Sequence, residues 1–158
     1  MDPVQKFIIA LLGLSIIGGA GYFLNEGSVP KSERLQAKYK KFTDSLDQSQ
    51  YATDQSYRER INQELHDRQE ALAFVFIDEQ KPDEAIIYLE TLIGSMNRPQ
   101  YVQGRQAARN SGQVRLVAKY YSRLSEVYGM KHDVKKRAWA LKMSMHYEAE
   151  AEQLRKRE

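Results

Sequence analysis

The sequence predicts an all-α protein: a single N-terminal transmembrane helix followed by a small helical-hairpin domain. Three observations carry this reading. Phe7–Leu24 runs without a charge; beyond it, apolar residues recur at spacings of three and four, the period of a helix with one buried face; and the turn-forming residues fall between those stretches, not inside them.

Composition narrows the possibilities before any motif is considered. A chain of 158 residues with a mean hydropathy of -0.65 suits one small core once its apolar N-terminus is set aside. Cysteine is absent, which excludes disulfides, thiolate metal sites, a cysteine nucleophile and cysteine-linked lipid anchors. The net charge of +3 is modest and its acids and bases are interleaved along most of the chain, which gives nucleic-acid binding no global electrostatic support. The expected organisation is an anchor over residues 1–25, a linker and basic amphipathic helix over 26–56, and a helical domain over 57–158.

As a helix, Phe7–Leu24 would rise about 27 Å, close to the hydrocarbon thickness of a bilayer. A cleaved signal peptide, with Lys6 before the apolar run and Gly18-Gly19-Ala20 as the processing site, is the competing reading. The continuation through Tyr22, Phe23 and Leu24 favours a span, with Tyr22 at interfacial depth. Ser15 and Gly19 form a small-xxx-small pair suited to packing on another membrane helix. Only Lys6 precedes the segment, whereas Lys31, Arg34, Lys38, Lys40 and Lys41 follow it. That bias predicts a cytoplasmic domain, the periplasm being the alternative; the expected setting is a single-pass protein of a bacterial inner membrane.

After the polar linker Asn25–Pro30, Ser32 is positioned to cap a helix whose Leu35, Tyr39, Phe42 and Leu46 share one face. The five basic residues from Lys31 to Lys41 suit anionic headgroups; packing of the apolar row on the domain is the alternative. Asp47–Ser56 reads as a loop. A helix then carries Tyr57, Ile61, Leu65, Leu72 and Phe76 on one face, with Ala71–Ile77 apolar all round. The next opens with Pro82 in its first turn followed by Asp83 and Glu84, both favourable at the positive end of the helix dipole. Its buried stripe is Ala85, Ile86, Leu89, Leu92 and Ile93, with Gly94 as its stop.

A short helix is expected over Val102–Asn110. The following one places Val114, Val117, Tyr121, Leu124 and Tyr128 on a stripe and ends at Gly129. Asp133 caps a last helix with Ala138, Leu141 and Met145 on one stripe and Trp139 and Met143 beside it.

Leu72-Ala73, Phe76, Lys81-Pro82-Asp83-Glu84-Ala85, Leu89 and Leu92 together resemble one tetratricopeptide (TPR) repeat, a two-helix unit that stacks to form a concave peptide-binding surface. Gln69 stands where the repeat often has an aromatic, and Pro99 lies beyond the repeat's terminal proline position. The second helical pair, Val114–Leu154, is too long to follow the pattern. The resemblance implies binding of other proteins and assembly work, not chemistry.

No catalytic signature accompanies it. His66, His132 and His146 are far apart, no HExxH spacing occurs, and Gly104 and Gly112 near Arg105 and Arg109 lack the pattern of a phosphate loop. The expectation is therefore a non-enzyme without cofactor, metal, nucleic acid or small-molecule substrate. Its partners would be the lipid bilayer and the other proteins of a membrane complex, such as a secretion or pilus machine. Tyrosine, present ten times, combines apolar area with a polar tip. Tyr57, Tyr88 and Tyr120 are the expected partner contacts, Tyr120 because it is rotated off the buried stripe.

Overall fold

The computed structural model describes residues 29–97, 101–102, 105–106 and 109–158. Within them lie six helices: α1 (Lys31–Asp44), α2 (Gln48–Thr53), α3 (Gln55–Asp78), α4 (Pro82–Met96), α5 (Ser111–Met130) and α6 (Val134–Arg155), with short strands β1 (Tyr101–Val102) and β2 (Arg105–Gln106) between α4 and α5. The fold is all-α and compatible with a helical repeat. The expected transmembrane architecture needs correction. Among the described residues no helix is long and apolar enough to cross a membrane. The longest, α3, carries charges on most of its turns, from Arg58, Glu59 and Arg60 to Asp78. The segment expected to span, with Ser15 and Gly19, lies outside the described residues.

The chain divides into two units, residues 1–46 and 47–158. In the first, α1 starts directly after Pro30, whose carbonyl accepts from the Arg34 amide at 3.3 Å. Ser32, expected as its cap, lies inside the helix and is buried, as is Tyr39. Leu35, Phe42 and Leu46 are half-buried, and the five basic residues are exposed.

The second unit opens with a helix where a loop was expected. Asp47 accepts from the amides of Ser49 and Gln50 at 2.9 and 3.0 Å and so caps α2. Those bonds hold its carboxyl below the usual range, the Gln50 amide contributing most. At the other end, Arg58 donates to the carbonyls of Tyr51 and Ala52, which would otherwise lack partners. Asp54 ends α2 and caps α3 by accepting from the Tyr57 amide at 3.0 Å.

Pro82 takes the first turn of α4, as its fixed φ favours. The helix passes through Gly94, the expected stop, because glycine ends a helix only where the chain turns left-handed, and α4 stays helical to Met96. The expected helix over Val102–Asn110 is instead an antiparallel strand pair, Tyr101 opposite Gln106 and Val102 opposite Arg105. Asn110 and Gln113 then form a reciprocal capping box at the start of α5, which continues past Gly129 to Met130. Asp133 caps α6 through the Lys136 amide.

Helices α3 and α4 form one hairpin, α5 and α6 another, and α4 packs on α5. Both hairpins turn the same way. Gln80 and His132 each adopt φ 55°, Lys81 and Asp133 donate back to the carbonyls of Phe76 and Tyr128 at 2.8 and 2.9 Å, and Gln80 and His132 donate to Ile77 and Gly129 at 3.0 Å. These are Schellman closures with non-glycine residues at the left-handed position.

The core is filled by Leu72, Leu89, Leu92, Val114, Val117, Leu124 and Val127. Because α5 lies between α4 on one side and α6 on the other, it buries a wide arc that includes both Tyr120 and Tyr121. The last helix is turned relative to expectation: Ala138, Leu141 and Met145 are exposed, and the packed side carries the fully buried Ala140 and Ala151. Small residues there let the two backbones approach closely enough for the Ser144 hydroxyl to donate to the Ala118 carbonyl at 3.0 Å.

Candidate functional site

Along α3, His66, Glu70 and Phe74 follow at four-residue spacing and so share a face. That face meets Lys119, Tyr120 and Arg123 of α5. The Lys119 ammonium lies 2.7 Å from a Glu70 carboxylate oxygen and 4.9 Å from the centre of the Phe74 ring, and the Arg123 guanidinium is 5.5 Å from the same ring. Cations over an aromatic face are drawn to its quadrupole. Phe74 is half-buried, while Lys119, Arg123 and the preceding Arg115 are exposed along one edge of α5. The result is a cationic rim over an aromatic floor, with the Glu70 carboxylate paired to Lys119 at its edge.

Beneath the rim, the Tyr120 hydroxyl lies 2.8 Å from His66 Nε2. Burial, and then the charge of Glu70, push the Tyr120 phenol upward from its ordinary range. Tyr128 is similarly buried and donates to Glu90 of α4 at 3.2 Å; burial first and Glu90 second push it up to about 12.

The three tyrosines expected to contact partners are held by different neighbours on three helices. Tyr57, half-buried, lines an open depression with Gln50, Asp54, Ser56 and Arg60; its ring lies 5.4 Å from the Arg60 guanidinium, and its hydroxyl accepts from the Asp47 amide at 3.4 Å. Tyr88 stacks on Phe76 with ring centres 5.6 Å apart. Tyr120 is 0 % exposed, so its expected role as a surface contact is corrected: it joins two helices internally. Sequence reasoning missed Lys119, Arg123 and Phe74. The four-residue spacing of the two cations was available as a signal, but their position over Phe74 depends on how α5 meets α3.

A second cluster joins α5 to α6. Tyr121 stacks on Tyr147 at 5.5 Å with the rings nearly parallel and meets the edge of Trp139 at 5.6 Å. The Arg109 guanidinium covers the other ring, 5.5 Å from the centre of Tyr147, and donates to Asn97 at 2.8 Å. Among the described residues no group of three or more His, Cys, Asp or Glu side chains is arranged to hold a metal ion.

Comparison with protein-family models, with curated proteins and with solved structures finds no match to this chain.

Proposed function

We propose that this chain is a protein-binding scaffold whose helical hairpins are of the tetratricopeptide kind and whose α3–α5 face receives an acidic segment of another protein. The observation that carries this reading is the placement of Lys119 and Arg123 over the half-buried Phe74. A structural core would cover such a ring with apolar atoms, whereas here two exposed cations flank it. The repeated hairpin closure at Gln80 and His132 supports the tetratricopeptide comparison, in which the first helix of each pair lines the binding surface. Helices α3 and α5 are those first helices.

The basic residues of α1 favour a lipid surface less. The apolar row beside them, Leu35, Tyr39, Phe42 and Leu46, is buried or half-buried, which leaves only electrostatic attraction to headgroups.

The test is affinity capture from the source cell with the unmodified chain and with a Lys119→Glu/Arg123→Glu variant. Both positions are exposed, but Lys119→Glu sets a second carboxylate beside Glu70. Helicity by circular dichroism and the melting temperature of both proteins, together with a Lys119→Gln/Arg123→Gln variant that adds no like charge, separate lost binding from lost folding. Defined partners recovered with the first and lost with the second are the expected outcome; identical recovery with both would refute this face as the binding surface.

A further inference from the structure

The α3–α5 face already holds carboxylates of its own. From α3, Glu70 accepts from the Lys119 ammonium of α5 at 2.7 Å, and that ammonium stands 4.9 Å from the centre of the Phe74 ring and 5.9 Å from that of Tyr120. Arg123 donates to Glu126, three residues further along α5, at 2.8 Å. The two acids are held differently. The Glu126 side chain is 47 % exposed and follows its cation on one helix, whereas that of Glu70 is 26 % exposed and crosses between helices. The Glu70 charge also acts on the buried Tyr120 phenol, whose hydroxyl is in contact with His66.

We propose that Glu70 is an internal competitor for the acidic segment: its carboxylate occupies the place on Lys119 that a partner's carboxylate would take, and the partner binds by exchanging with it. This rests on the acidic-segment reading of the face and adds its regulation and its choice of partner. With Phe74 and Tyr120 beside the ammonium and Glu70 in contact with it, a second carboxylate approaching Lys119 meets a balanced charge and a like charge next to it. Exchange is within reach, because a partly exposed ion pair is worth a factor of about two to five in an equilibrium constant.

A lone acid therefore gains little, since it replaces one pair by another of the same kind. A segment with clustered acids gains, because one of them displaces Glu70 while others reach Arg123 and the exposed Arg115. These three cations follow at four-residue spacing, about 6 Å apart along α5. An extended segment with an acid at every second residue sets its carboxylates about 7 Å apart. The face is thereby selective for extended segments with alternating acids.

Fluorescence anisotropy of a labelled hexapeptide of alternating Glu and Ser, titrated with the full chain at low salt, reads the exchange. Glu70→Gln should tighten binding by about two- to fivefold. Removing an acid near the face would also lessen plain repulsion, so Glu70→Asp is the deciding variant. It keeps the charge but is one methylene shorter, loses the 2.7 Å contact with Lys119, and should tighten binding by about twofold or more. In a Lys119→Gln background the gain from Glu70→Asp should disappear. A gain in affinity cannot come from a variant that fails to fold. Equal affinity of the unmodified chain and both Glu70 variants, or a gain confined to Glu70→Gln, would overturn the competition and leave the face standing. No binding by any of the three would remove the face itself, and the competition with it.

Discussion

Tyr120 on α5 and His66 on α3 are joined through a phenol–imidazole contact of 2.8 Å, their rings 5.8 Å apart and inclined at 54°. This contact connects the first helices of the two hairpins, and one of its partners is fully buried. Removing the hydroxyl with Tyr120→Phe should cost about 1–2 kcal/mol, because His66 loses its partner in a half-buried position. Tyr120→Ala removes the ring as well and should cost about 3–5 kcal/mol. Urea denaturation of both variants measures this. A loss below about 1 kcal/mol for Tyr120→Ala would return the residue to the surface, where the sequence put it.

The same burial sets an alkaline limit on the fold. Tyr120 and Tyr128 both have their phenols pushed upward, Tyr128 from 10.0 to about 12. A group whose folded pKa is raised contributes stability that is complete below its unfolded value and is lost as pH rises through the folded one. The melting temperature should therefore be flat with respect to these groups up to about pH 10 and fall between there and about pH 12. Melting curves across that range, with phenolate absorbance followed in parallel, would check the window. Tyr128→Phe should flatten part of the decline.

The turned face of α6 makes opposite demands at adjacent positions. Ala140 is 0 % exposed against α5, so Ala140→Leu should overpack the hairpin at a cost of about 1–3 kcal/mol. Leu141→Ala, one residue on, should change monomer stability by less than about 0.5 kcal/mol. The reverse ranking in thermal melts of dilute protein would restore the stripe expected from the sequence.

Two glycine exchanges should both stabilise the chain, for opposite reasons. At Gly94, in the interior of α4, an added methyl group would meet nothing within 4 Å, so Gly94→Ala should gain about 0.5–1 kcal/mol by restricting the unfolded chain. At Gln80, where φ is 55°, Gln80→Gly should relieve left-handed strain and gain about 1 kcal/mol. Differential scanning calorimetry of the two variants and their combination checks this, with additivity expected between separate sites.

Local chemistry along one stretch of chain determined much of this protein. Asp133 as a cap, Pro82 in a first turn, and the buried rows Leu72–Phe76, Ala85–Ile93 and Val114–Tyr128 were all legible, because each depends on helical period and on backbone groups a few residues away. So was the hairpin of α3 and α4, whose turn residues adjoin its helices.

What the sequence could not decide is which face of each helix meets which neighbour. An isolated period says that Leu141 and Met145 lie together. It does not say that the alanines Ala140 and Ala151, with Ser144, allow a closer approach to α5 and so turn the larger side chains outward. Nor does it reveal that α5 is packed on more than one side, which draws Tyr120 inside and leaves Lys119 and Arg123 as the rim over Phe74. Packing decides these matters because a helix settles where its neighbours fit most closely, and the fit is a property of two surfaces, of which a single segment supplies only one.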